Sequence, residues 1–192
     1  GTSGSGKSTL GTQLAQSLAI PFIDGDDLHP KSNIEKMSKG IPLNDEDRLP
    51  WLLSIPGQAK QSHDGQHHKQ SDVSQHKYNA CVIACSALKR SYRHLLRHGL
   101  SESESEANLP ADVDDHLHKD ALDVYHVYLK VSPEELLRRM HERAGHFMKE
   151  DMLKSQLATL EDPTGEPRTL VLDDGPVQNL VEKGKDFFNS IL

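Results

Sequence analysis

The chain has 192 residues, enough for one domain with a sizeable buried core. Its 22 Lys and Arg against 29 Asp and Glu leave a net charge of −7, which argues against non-specific binding to nucleic acid or to an anionic membrane surface. No apolar run approaches the ~20 residues of a membrane helix and nothing has the layout of a signal peptide.

The chain opens on Gly1-Thr2-Ser3-Gly4-Ser5-Gly6-Lys7-Ser8, a complete G-x-x-x-x-G-K-[ST] pattern. Glycines at these places let the backbone curl so that successive N–H groups converge on phosphate oxygens. Lys7 reaches the β- and γ-phosphates as a point charge, the Ser8 hydroxyl suits Mg²⁺, and the following helix adds its positive end. Gly1, Thr2, Ser3, Gly4, Ser5, Gly6, Lys7, Ser8 and Thr9 are therefore the expected cradle for ATP. Such a loop hangs from the end of a buried strand, and no residue precedes Gly1, so a first strand is expected upstream of this sequence.

Leu10, Leu14 and Leu18 predict a helix over 7–18. Phe22 and Ile23 lead into Asp24-Gly25-Asp26-Asp27, read as a short buried strand ending in carboxylates. A short helix follows over 31–39, and another starts near Asn44 or Asp45 and runs past Trp51, bent by Pro50 and Pro56. Residues 81–85 read as a strand, which sets Cys81 and Cys85 about 13 Å apart, too far for a disulfide, so they read as reduced core thiols of a cytoplasmic protein. A basic helix is expected over 87–98 and a strongly β-prone strand over 124–131. Ser132-Pro133-Glu134-Glu135 predicts a helix start. That helix reaches about 143; another covers 149–160, then come a strand over 169–172 and a helix over 177–191. Strands alternating with helices imply an α/β domain with a parallel sheet covered on both faces, ligands binding beyond the carboxyl ends of its strands. Two segments, near 58–79 and 101–123, are too polar to order themselves and read as solvated insertions. The histidines of the first (His63, His67, His68 and His76) read as composition rather than as a metal centre.

A phosphate loop alone does not name the acceptor. Asp24 and Asp26, two apart beside the loop, suit phosphoryl transfer: one carboxylate orients or deprotonates an acceptor hydroxyl, the other holds Mg²⁺ or its waters. Cations to hold a polyanion in this acidic chain would be Lys7, Arg48, Lys89, Arg93, Arg139 and Arg143. Lys89 and Arg93 are four apart, as are Arg139 and Arg143, so each pair is expected on one helix face.

The stretch FIDGDDLHPKSNIEKMSKGIPLNDEDRLPWL (22–52) strongly resembles the gluconokinases, small phosphate-loop kinases related to shikimate and adenylate kinases. So do CSALKRSYR (85–93), GHFM (145–148) and QLATLE (156–161), the last with Leu157 where the family usually has Phe. The resemblance covers nearly the whole chain outside the insertions. It implies a single three-layer domain over 1–192 with five parallel strands in the intact protein, and ATP-dependent phosphorylation of D-gluconate at its C6 hydroxyl, a step that feeds the pentose phosphate pathway. By position it implies Asp26 at the acceptor hydroxyl and Asp24 supporting Mg²⁺. His29, Arg48, Ser86, Lys89 and Arg93 would meet the substrate. Arg139 would lie over adenine and Arg143 on the transferred phosphate, in a segment that closes over the site with Gly145 as hinge. Gluconate is then the small-molecule partner, and a homodimer is consistent with the related kinases. A kinase for another small anionic acceptor, such as shikimate, and a nucleotide-binding regulator without catalysis stay open as alternatives.

Overall fold

The structure is a computed structural model and describes residues 1–67, 78–99, 122–142 and 147–191. Its elements run α1 (Lys7–Leu18), β1 (Phe22–Asp24), a 3₁₀ turn (Gly25–Leu28), α2 (Lys31–Ser38), α3 (Asp45–His67), β2 (Val82–Ala84) and α4 (Arg90–His98). The second half continues with β3 (His126–Lys130), α5 (Pro133–Glu142), α6 (Phe147–Thr159), β4 (Thr169–Asp173) and α7 (Val177–Ser190). Of the five parallel strands expected in the intact domain, four fall among the described residues, in two parallel pairs. Phe22, Ile23 and Asp24 lie opposite Val82, Ile83 and Ala84, and β3 aligns with β4 from His126–Thr169 to Lys130–Asp173.

Alternation along β2 makes the layers. Val82 packs with Leu14, Ala15, Leu18 and Phe188, under α1 and α7. The next residue, Ile83, points to the opposite face and packs with Trp51, Leu52, Ile55, Leu88 and Tyr92, under α3 and α4. A further cluster joins Leu10 to Leu129 of β3, Leu172 of β4 and Leu180 and Val181 of α7. Helices on both faces of parallel strands are the arrangement that the strand–helix alternation predicts.

Three elements depart from expectation. The carboxylate stretch does not continue as strand past Asp24: the Asp24 side chain accepts the Asp26 N–H at 3.1 Å and caps a 3₁₀ turn instead. Helix α4 starts at Arg90, not at 87, because Ala87 and Leu88 are buried in the core and Lys89 is extended (φ −94°, ψ 153°). The polar stretch from 58 begins as helix, since α3 continues through it to His67, with Pro50 and Pro56 inside it. The rest of that insertion over 68–77, and residues 100–121 of the acidic one, lie outside the described residues. Cys81 and Cys85 are both free thiols, as expected, and burial pushes Cys85 up to about 12. Among the described residues no helix is long and apolar enough to cross a membrane.

Gly25 sets how closely the end of β1 approaches the end of β2. A Cβ on Gly25 would lie 2.4 Å from the Ala84 carbonyl oxygen, a backbone atom that cannot swing aside. Gly25→Ala is expected to cost about 1–3 kcal/mol through this overlap, measured by chemical denaturation. An unchanged midpoint would mean that the turn relaxes without strain.

Candidate active site

The loop is built as its glycines require. Gly4 and Gly6 sit at φ 81° and 92°, the left-handed region that a side chain disfavours. Thr2 is buried, and its carbonyl accepts the Ser5 hydroxyl and the Lys7 ammonium, each at 2.9 Å. Gly6 caps α1 with no side chain, leaving the first N–H groups of the helix to an incoming anion. Burial pulls the Lys7 ammonium below its ordinary range, while the charges of Asp26 and Asp24 oppose that pull. A buried cation of this kind is stabilised further by a polyanion.

Beside the loop, the Ser8 hydroxyl donates to Asp24 Oδ2 at 2.8 Å. The two residues expected at Mg²⁺ are thus brought together from α1 and the end of β1, and both offer oxygen. That donor set suits a hard cation that keeps several of its waters.

Asp26, His29 and Arg48 converge next. Both Asp26 and Arg48 act electrostatically on the His29 ring, whose pKa falls through burial, with Asp26 opposing and Arg48 reinforcing. The His29 ring stacks on Trp51, centroids 4.2 Å apart and planes 13° apart. Trp51 is fully buried and donates its indole N–H to the Gly25 carbonyl at 2.7 Å, so it anchors the turn that carries Asp26. Asn33 is a residue that sequence reasoning passed over. Buried in α2, it bonds the Asp47 carbonyl at 2.6 Å and lies 3.3 Å from His29 Nδ1, tying the turn to the start of α3.

Arg48 is placed by a reciprocal cap. The Asn44 side chain accepts the Asp47 N–H at 2.8 Å, and the Asp47 carboxylate accepts the Asn44 N–H at 3.1 Å. Asp45, Glu46 and Asp47 in the first turn also complement the helix dipole. One residue on, the Arg48 side chain is buried, makes a single long bond from Nε to Leu43 O at 3.4 Å, and has no ion pair among the described residues.

The remaining expected substrate residues divide. Ser86 is buried just beyond the end of β2. Lys89 pairs with Asp45 at 2.6 Å, and the Tyr92 hydroxyl donates to the same carboxylate. Lys89 and Arg93 do not lie four apart within one helix, because Lys89 precedes it. Arg93 is 2% exposed and commits all five donors to protein. Its Nη1 donates to Ala87 O and Leu88 O, and its Nη2 to Glu161 O and Glu166 Oε1. Its Nε takes Glu166 Oε2. Glu161 and Glu166 lie 68 and 73 residues downstream, which no local pattern signals.

On the nucleotide side, Arg139 Nε donates to Glu135 at 2.7 Å and Nη2 to both oxygens of Asp174, so two carboxylates fix the plane of the guanidinium. Neither partner was singled out from sequence, although Glu135 stands four residues before Arg139 on the same helix. Arg143 and Gly145 lie outside the described residues. Two roles for the QLATLE segment went unread. The Gln156 side-chain carbonyl accepts the Ser3 N–H at 2.7 Å, and the Glu161 carboxylate accepts the Arg90 N–H, capping α4 from outside.

A glycine loop at the head of a helix, a serine–aspartate pair beside it, and parallel strands covered on both faces define a phosphate-loop kinase. The family model described as an AAA domain matches residues 1–163. A probable gluconokinase of Schizosaccharomyces pombe is 39% identical over 97% of this chain and 79% of its own length. The thermosensitive gluconokinase of Escherichia coli is 40% identical over 91% of this chain and 75% of its own length. The crystal structure of a gluconokinase from Sinorhizobium meliloti superposes with a TM-score of 0.71 at 38% identity, covering 99% of this chain and 89% of that one. The chain belongs to the gluconokinase family.

Proposed function

We propose that this protein transfers the γ-phosphoryl group of ATP to the C6 hydroxyl of D-gluconate, giving 6-phospho-D-gluconate and ADP. The observation that carries this reading is Arg48: a buried guanidinium with no carboxylate partner among the described residues, grouped with Asp26 and His29. A buried cation without a protein anion favours a substrate that brings one, and a guanidinium suits a carboxylate as a planar fork. Relatives named gluconokinase support the choice of acceptor.

In the proposed reaction Asp26 takes the proton from the C6 hydroxyl as that oxygen bonds to the γ-phosphorus. The bond from that phosphorus to the β–γ bridging oxygen breaks, and its electrons leave with ADP. The loop N–H groups and Lys7 hold the phosphates, with Arg143 beside them on the transferred group and Arg139 against the base. His29 and Ser86 contact substrate hydroxyls. Mg²⁺ held by Ser8, with Asp24 behind it, would shield the phosphate charge. Lys89, paired with Asp45, lines the cavity beside the start of α3, while Arg93 braces the segment 161–166 against α4. Their direct contact with substrate has no support in the bonds they make.

The test is ADP release from Mg-ATP with gluconate, shikimate and AMP as separate acceptors. Turnover with gluconate alone is expected; turnover with another acceptor, or none despite nucleotide binding, would overturn the reading. Arg48→Lys keeps the charge but loses the fork, and is expected to raise KM for gluconate about 10- to 100-fold at constant KM for ATP. Equal changes in both constants would take Arg48 off the substrate.

A further inference from the structure

The contact between Ser3 and Gln156 joins residues 153 positions apart and ties the phosphate loop to a helix from the far end of the chain. Ser3 presents a backbone N–H, which only donates, so the Gln156 carbonyl faces it and the carboxamide N–H₂ is turned the other way. Among the described residues that N–H₂ has no protein partner.

Buried packing supports Gln156 from behind. Leu153, three residues earlier, is fully buried with Leu136 and Met140 of α5, and Leu157 packs against the same cluster. The loop rests on that cluster too: a Cβ at Gly4 would lie 3.7 Å from both Leu136 and Met140. Loop, α5 and α6 thus form one packed unit. At the end of that unit, the Glu161 N–H donates to Leu88 O at 2.9 Å, fixing the exit of α6.

We propose that Gln156 is a side-chain extension of the phosphate cradle, moored to the loop by its carbonyl and donating its N–H₂ to the phosphoryl group under transfer. The residue type fits both tasks. Glutamate would bind the Ser3 N–H more strongly as a charged acceptor, but would set a negative charge beside the phosphates and offer them no donor. Glutamine supplies an acceptor for the loop and a neutral donor for the ligand. The assignment rests on ATP being the phosphoryl donor.

The experiment is calorimetric titration of the full chain with Mg²⁺ present, using ADP and a non-hydrolysable imido analogue of ATP. The wild type is compared with Gln156→Ala and Gln156→Glu. Gln156→Ala is expected to weaken the analogue about tenfold and ADP less than twofold, because only the analogue carries the group that Gln156 meets. Gln156→Glu, which keeps the mooring, is expected to weaken the analogue more than Gln156→Ala does. In turnover, Gln156→Ala is expected to lower kcat about tenfold or more with KM for gluconate unchanged. Equal weakening of both nucleotides would make Gln156 a mere support of the loop and overturn the proposal, as would no change in either. If Gln156→Ala does not fold, Gln156→Glu alone decides: an analogue affinity equal to that of the wild type overturns the proposal. A wild type that binds neither nucleotide would overturn the kinase reading beneath it.

Discussion

Asp26→Asn is expected to lower kcat roughly 10²- to 10⁴-fold while nucleotide affinity stays within about twofold. The substitution changes one atom and removes the proton acceptor. The turn that carries the residue is held by backbone and neighbours, not by the Asp26 carboxylate: Asp24 accepts the Asp26 N–H, and Trp51 holds the Gly25 carbonyl. The Asn side chain therefore keeps its place, and a fall in rate reports chemistry rather than misfolding. Loss of the negative charge also removes a partner of Lys7 and His29. The nucleotide site would feel this slightly and in the favourable direction, since less negative charge faces the phosphates. A coupled ADP assay measures the rate, and titration with ADP measures the affinity. Near-normal turnover would remove Asp26 from the mechanism.

Arg93→Met is expected to destabilise the protein by about 3–5 kcal/mol, because it strips three backbone carbonyls of their donor and leaves the half-buried Glu166 carboxylate with Arg97, 3.9 Å away, in place of a bidentate partner. For a domain of this size that is a fall in Tm of about 10 °C or more. Glu166→Gln should cost a comparable amount from the other side. Burial alone would raise the Glu166 carboxyl, but Arg93, Arg97 and Arg90 outweigh it and hold the group below the usual carboxylate range. A folded-state pKa below the unfolded one contributes stability at neutral pH that is lost as pH falls through the depressed value. Wild type should thus lose stability toward acid faster than Glu166→Gln does. Thermal and urea unfolding from pH 7 downward would show the two curves converging. If Arg93→Met kept its Tm but lost gluconate binding, the residue would belong to the substrate and not to the scaffold.

The contrast between Arg48 and Arg93 shows where the chain becomes illegible from sequence. Both are arginines near helix starts, and both read as anion ligands. One is buried with a single long hydrogen bond, the other has every donor taken. The difference comes from the segment 161–166, whose Glu161 carbonyl and Glu166 carboxylate reach Arg93 of α4. Lys89 is the same lesson on a smaller scale: its partner Asp45 sits at the start of another helix.

What the sequence determined by itself is whatever depends on neighbours along the chain. The phosphate loop needs eight consecutive residues, and glycines at 4 and 6 allow the positive φ angles it adopts. The strands follow from runs of β-branched and aromatic residues, and the start of α3 from the capping pair Asn44 and Asp47. The serine–aspartate pair at the loop was legible because loop and strand end are joined by one helix. The tertiary structure alone decided which charges face a ligand and which face each other. It turned the carboxylate stretch from strand into a 3₁₀ turn, delayed α4 to Arg90 and brought Gln156 to Ser3. Electrostatic pairing acts over a few ångströms of space, and chain separation places no limit on it.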